Sequence, residues 1–245
     1  MTFKATLTNN NIFKTAFESI AKIIDEVTLT ADNEGIRLRA LDRSHITFVS
    51  MDLDVDLFDE YQCDVPEKIS IDATEFLQIL KHGKTNDILR LSVDENNLII
   101  IFDGDATRKF NIRFIDDEYE TAVPPQIDHP INIKMPSDLL KDALNDMQLF
   151  SDKILFTIDQ DYFKIHTQGT FGDGEVKYIH GENIQETCQA MFNTEKVSDI
   201  MRASKFSKEV TVSLGNDMPL KITFELITGD GRLTYLLAPR LEETD

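Results

Sequence analysis

Asp116–Pro130 reads DDEYETAVPPQIDHP, and the material on either side of it repeats one plan. The stretch holds five acidic residues and three prolines. No apolar period runs through it, so neither an amphipathic helix nor an alternating strand can be drawn there. Proline favours extended backbone and removes hydrogen-bond donors, so the segment is expected to cross a surface without competing for a sheet's ladder. Val123 and Ile127 are then the apolar side chains that need a resting place. On this reading a connector, 116–130, joins an N-terminal domain, 1–115, to a C-terminal domain, 131–245.

Apolar residues make up 41% of the 245 residues and charged residues 28%, enough to fill real cores and unlike a disordered or membrane-spanning chain. The net charge of −19 works against unguided adhesion to nucleic acid or anionic lipid. Cys63 and Cys188 stand far apart, with no disulfide or metal spacing, and both are expected to be buried free thiols of a reducing compartment. The opening MTFKATLTNNN does not read as a signal peptide, and no later run has the length of a membrane helix. The protein is therefore expected to stay where it is made, off the membrane.

The first half begins with alternation at Phe3, Ala5 and Leu7, then an asparagine cluster, Asn9, Asn10 and Asn11, suited to cap a helix. Beyond it Phe13, Ala16, Phe17, Ile20, Ile23 and Ile24 share one helical face, with Lys14, Thr15, Glu18 and Lys22 opposite. Strands are expected at 27–30 and 36–40, across ITFVSMDLDV, and in a short piece at 61–65. A second helix from Ala73 buries Phe76, Leu77, Ile79 and Leu80 and shows Gln78, Lys81 and His82. Strands 88–93, 98–102 and 108–115 close the half, with DENN and DGDAT as hairpin turns.

Beyond the connector the order restarts with Ile131–Met135 and a proline, Pro136, at a first helical position. The helix from Ser137 is expected to bury Leu139, Leu140, Ala143, Leu144 and Met147 and to turn Lys141, Asp142 and Asn145 outward. Strands 154–158, 162–167 and 175–180 lead to a helix over 194–203, with Val197, Ile200 and Met201 inward and Asp199, Arg202 and Lys205 outward. Strands 210–214, 220–224 and 233–237 then repeat the closing three. The predicted fold class is α+β: two similar domains, each a unit of two helices on curved antiparallel sheets.

Such a unit leaves lateral strands with unpaired backbone groups. The basic strand 108–115, with Arg108, Lys109 and Arg113, and the strand 175–180, flanked by Asp173 and Glu175, are the candidates. Head-to-tail pairing of unlike edges closes into a ring when the angle permits. Charge is also separated by element: the helical stretches 11–24, 74–84, 136–150 and 194–208 are slightly basic in sum, within a chain of −19. Helix faces of this kind suit phosphates, in contact that is sequence-independent and salt-sensitive.

ALDRSHITFV at Ala40–Val49, KMPS at Lys134–Ser137, GDGEVKY at Gly172–Tyr178 and YLLAPRLEE at Tyr235–Glu243 resemble the sliding clamps of the proliferating cell nuclear antigen family, its archaeal members above all. The resemblance spans essentially the whole chain. It implies a DNA-clamp fold in a closed homotrimeric ring, helices lining a channel around duplex DNA, no catalytic activity and no cofactor. It also implies a role as DNA polymerase processivity factor, with polymerase, clamp loader, flap endonuclease and DNA ligase docking by short peptides. Localisation would be cytoplasmic and nucleoid-associated in an archaeon, nuclear in a eukaryote.

By the same resemblance the peptide pocket comprises Leu41, His45, Ile46, Phe48, Val123, Ile127, Pro219, Leu236, Ala238, Pro239, Arg240 and Leu241. The DNA-facing set is Lys14, Lys22, Lys81, Lys84, Lys141, Arg202 and Lys205. Phe110, Ile112 and Arg113 are expected to meet Val176 and Tyr178 of a neighbouring copy. Asp142 and Asn145 depart from the basic groups that relatives carry on the third helix. Two rival readings are a subunit of a mixed checkpoint-type clamp and a metal-assisted hydrolase built on Asp103, Asp105, Asp116, Asp117 and Glu118. The second is weak, because DGD and GDG are ordinary turns and no ligand set converges at metal spacing.

Overall fold

Alternating burial of Phe3, Ala5 and Leu7 forms β1 (Phe3–Leu7) in the computed structural model, which describes residues 3–116 and 122–240. The chain divides into one unit of Met1–Pro124 with Glu225–Leu233 and another of Pro125–Phe224 with Thr234–Asp245. In the first unit β1 is followed by α1 (Asn11–Ile23), β2 (Glu26–Asp32), β3 (Gly35–Leu41), β4 (Thr47–Asp54), β5 (Glu60–Cys63), β6 (Glu67–Asp72), α2 (Ala73–Leu80), β7 (Ile88–Asp94), β8 (Asn97–Asp103) and β9 (Arg108–Arg113). Its strands run in the orders β5-β1-β7-β8-β9 and β4-β3-β2-β6.

The second unit repeats this with β10 (Ile131–Pro136), α3 (Ser137–Met147), β11 (Lys153–Ile158), β12 (Tyr162–Gly169), β13 (Gly172–Ile179), β14 (Cys188–Asn193), α4 (Thr194–Ile200), β15 (Glu209–Leu214), β16 (Leu220–Glu225) and β17 (Gly231–Leu237). Its orders are β10-β15-β16-β17 and β13-β12-β11-β14. Each strand therefore has a counterpart at the same place in the other order, β5 excepted.

The helix pairs hold the cores together. On α1, Phe13, Ala16, Phe17 and Ile20 are fully buried, and Phe13 and Phe17 meet Phe76 of α2 edge-on, with ring centroids 6.2 and 4.7 Å away. Edge-to-face packing adds to the area these rings remove from water. The second helix of each unit is capped in one way: the Asp72 side chain accepts from Glu75 N at 2.8 Å, and Asn193 from Lys196 N at 3.0 Å. Gly35, at φ 139°, turns the β2–β3 hairpin where a Cβ would meet Leu53 O at 2.1 Å.

Several expectations change. β6 and β14, the strands leading into the second helices, are absent from the pattern reading. In β6, Ile69, Ser70 and Ile71 are all buried, so alternation disappears, and in β14 the inward positions include small Cys188 and Ala190. Each strand also runs straight into a helix cap, which hides its end.

Asn10 precedes α1 without a side-chain cap, and its amide donates to Lys84 O and Asp87 O at 2.7 and 2.6 Å. Pro136 is the cap residue of α3, one position before the helix. Leu139 is 45% exposed, Ile79 is half-buried, and Thr15 is buried with its hydroxyl on Asn11 O at 2.8 Å. α2 stops at Leu80 and α4 at Ile200, a 3-10 turn, Met201–Lys205, following the latter. Cys188 is buried, while Cys63 is half-exposed.

Candidate nucleic-acid and partner interfaces

In the first unit the packing of Phe13, Phe17 and Phe76 leaves Lys14 half-buried and Lys22 and Lys81 exposed. Lys81 is the cap residue of α2, its amide on Leu77 O at 3.0 Å. Lys84 sits beyond the helix in a loop fixed by Asp87, whose carboxylate accepts from Lys84 N at 2.8 Å. Its ammonium lies 3.5 Å from exposed Asp105, so part of its charge is answered within the chain. Among the described residues, no ion pair engages Lys14, Lys22, Lys81, Lys141 or Lys205.

In the second unit α3 and α4 leave a groove of about 680 Å³, with Lys141 and Arg202 among its walls and Asn145, Gln148 and Ser198 between them. Arg202 is held by Asp199 at 2.9 Å. Asp152, Glu195 and Asp199 also line it, so its two cations share the groove with three carboxylates. Asp142 and Asp146, exposed on α3, stand near Tyr178, whose phenol pKa is pushed up by burial and by those two carboxylates. The outward acids of α3 thus lie beside β13, and the Tyr178 hydroxyl donates to Leu139 O at 2.7 Å.

β9 and β13 each end a sheet. On β9, Lys109, Asn111 and Arg113 are exposed, and Phe110 stacks on His82 with centroids 5.9 Å apart. Arg108 pairs with the buried carboxylate of Asp87 and donates to His82 O at 2.6 Å, tying the edge to the loop after α2. Ile112 is 5% exposed and belongs to the core of its own sheet, so of the three residues expected to meet a neighbour only Phe110 and Arg113 are open to one. On β13, Val176 and Tyr178 are half-buried. Pattern reading missed an apolar patch close by: Phe150 stacks on Phe171 at 5.3 Å, Phe171 being 72% and Leu149 69% exposed. Gly174 of β13 leaves the space into which Met147 and Phe150 pack. The signal was in the sequence, as apolar residues at a helix end and in a hairpin turn where polar ones are usual.

The residues assigned to a partner peptide fall into two kinds. Leu41 and Ile46 are 41% and 40% exposed, Val123 is 85% exposed, and Ile127, Pro219, Ala238, Pro239 and Arg240 are half-buried. Phe48 and Leu236, at 5% and 8%, are core side chains and offer little to a ligand. Leu241 lies outside the described residues.

A residue not singled out, Asp42, builds the loop that displays Leu41 and Ile46. Its buried carboxylate accepts from Ile46 N and Thr47 N at 2.7 and 2.8 Å, and its carbonyl from His45 N at 2.8 Å. His45 adopts φ 57°, and its imidazole is exposed rather than set against a nucleophile. Arg240 is engaged by Asp152 at 2.7 Å and through its amide by Met191 O, also at 2.7 Å. Asp103 accepts from Thr107 Oγ1 at 2.6 Å and pairs with Arg90, so turn and strand already use this acid. Asp117 and Glu118 lie outside the described residues.

Two antiparallel repeats, each with a helix pair and a free edge of its own, define a duplicated clamp-type protein. The model of the proliferating cell nuclear antigen N-terminal domain matches residues 2–120, and that of the C-terminal domain residues 124–240. The chain is 52% identical over 243 residues to the DNA polymerase sliding clamp of Methanobrevibacter smithii, covering 99% of this chain and 100% of that one. It is 47% identical over 240 residues to that of Methanothermobacter thermautotrophicus, covering 98% of each. Crystal structures of proliferating cell nuclear antigen from Entamoeba histolytica and Thermococcus kodakaraensis superpose with a TM-score of 0.92 at 24% identity, over 98% of this chain and 99% and 100% of theirs. This chain belongs to the proliferating cell nuclear antigen family.

Proposed function

We propose that the protein is a DNA polymerase sliding clamp, a non-catalytic processivity factor whose copies close head to tail into a homotrimeric ring around duplex DNA. One observation carries the ring. β9 in the first unit and β13 in the second each end a sheet, with a row of backbone groups left unpaired along the edge. Pairing β9 of one copy with β13 of the next gives both edges a partner and, repeated head to tail, closes a ring. Charge agrees with this: Lys109 and Arg113 are exposed on β9, while Asp142 and Asp146 stand beside β13. Phe110 and Arg113 would meet Val176, Tyr178 and the Phe150–Phe171 patch.

On this reading Lys14, Lys22, Lys81, Lys141, Arg202 and Lys205 contact phosphates, with Lys84 contributing less because of Asp105. Leu41, Ile46, Val123, Ile127, Pro219, Ala238 and Pro239 receive short peptides of polymerase, clamp loader, flap endonuclease and ligase, by apolar anchoring and strand-like backbone contact. The archaeal relatives support work in the cytoplasm at the nucleoid. The test is topological. Loaded on nicked circular DNA by a clamp loader, the protein should stay with the circle through gel filtration in high salt and leave once the circle is cut. Equal retention on circular and free-ended linear DNA would contradict encirclement.

A further inference from the structure

Within the second unit the connector is pinned at a single point. Among the described residues, the one hydrogen bond between 125–130 and the rest of the chain joins His129 Nε2 to Pro219 O, at 2.7 Å. A carbonyl only accepts, so Nε2 carries the proton, and either that tautomer or the imidazolium makes the bond. The receiving turn is itself held. Met218 N donates to Gly215 O at 3.4 Å, Asp217 N donates to Gln189 O at 3.1 Å, and Asn216 Oδ1 accepts from Gln189 N at 2.9 Å. Gly215 leaves the space that Met218 and Pro130 occupy, since a Cβ there would lie 2.2 Å from Met218 Sδ and 3.1 Å from Pro130 Cδ.

Exposure along the connector alternates, with Ile127 and His129 half-buried and Gln126, Asp128 and Pro130 exposed. In extended backbone, residues two apart point the same way. Fixing His129 on the turn therefore fixes Ile127 on the same side as Pro219. We infer that His129 is a positioning residue for partner-peptide capture: it touches no peptide, but holds the connector so that Ile127 and Pro219 form a ready-made part of the docking surface. Pre-ordering a segment before binding removes an entropy cost that each partner would otherwise meet. This inference rests on the peptide-capture reading above.

The test uses the full chain and, as probe, the purified replicative DNA polymerase of Methanobrevibacter smithii, measured by calorimetry. His129→Ala should weaken binding about fivefold, the worth of one net hydrogen bond. His129→Gln, whose amide keeps a donor, should restore most of the loss. Light-scattering mass and thermal midpoint should match the parent in both variants. Unchanged affinity in His129→Ala, or no recovery in His129→Gln, overturns the inference while leaving the sliding clamp intact. A parent chain that fails to bind polymerase, or that binds it equally after Leu41→Ala, overturns the peptide reading and this inference together.

Discussion

The two repeats share an order of strands and a way of capping their second helix, yet their helix pairs present different surfaces. In the first unit Phe13, Phe17 and Phe76 lock α1 to α2, and the outward positions hold Lys14, Lys22 and Lys81. In the second, α4 gives way to a 3-10 turn after seven residues, a groove of about 680 Å³ separates it from α3, and α3 shows Asp142 and Asp146. Buried positions must keep filling the same space, whereas exposed ones are free to take new duties after duplication. The edges divided in the same manner, β9 becoming basic and the surroundings of β13 acidic and aromatic.

The largest effect should come from damaging one edge only. Phe110→Ala removes the ring that stacks on His82 and that the proposed pairing sets against the next copy, and sedimentation velocity should move from trimer toward monomer. A trimer that persists at nanomolar concentration would show that β9 is not the edge in use. Next in size, Leu41→Ala combined with Ile46→Ala should weaken polymerase binding more than tenfold, by loss of two apolar anchors at about 1 kcal/mol or more each. The ring mass should not change. Calorimetry showing parental affinity would remove the Asp42 loop from the docking surface.

The helix faces can be compared by salt dependence. Replacing Lys22 and Lys81 by alanine should lower the slope of log K against log salt by about 1 to 2, at roughly 0.9 per phosphate contact. Lys141→Ala with Arg202→Ala should lower it less, because Asp199 already holds Arg202. Equal slopes for the two doubles would mean that the repeats share DNA contact evenly.

The smallest effect concerns matching hairpins. Asp32 faces Arg37 across the β2–β3 turn, and Asp159 faces Lys164 across β11–β12, the same spacing in both repeats. The Lys164 ammonium, with the amides of Asp161 and Tyr162, holds the Asp159 carboxyl at about 2. A depressed carboxyl stabilises the fold above its unfolded pKa and loses that contribution as pH falls through its folded value. Asp159→Asn should therefore melt below the parent at pH 7 and converge on it between pH 4 and about 2. A constant gap across that range would assign the difference to packing.

Much of this was legible in the chain because burial imposes a period. The apolar face of α1, the alternation of β1, and both free edges follow from helical spacing and strand period, though Thr15 turns inward. What escaped did so for local reasons. Ile69, Ser70 and Ile71 are covered on both sides, so no alternation marks β6, and Cys188 and Ala190 are too small to announce β14. Phe48 and Leu236 stand in the runs 47–50 and 235–237, where every residue is buried, so no alternation separates a core side chain from one open to a ligand. Asp42, Asp87 and His129 act through backbone groups distant in sequence or hidden in a turn, and no spacing rule reveals such partners. The type of Asn10 suggests a cap, while its amide serves the loop 84–87.

The ring itself is weighed most directly by light scattering of the purified chain during size-exclusion chromatography at micromolar concentration. A ring of three copies gives three times the 28.0 kDa of one chain, without DNA or any partner present. A single species of 28.0 kDa under those conditions would contradict it.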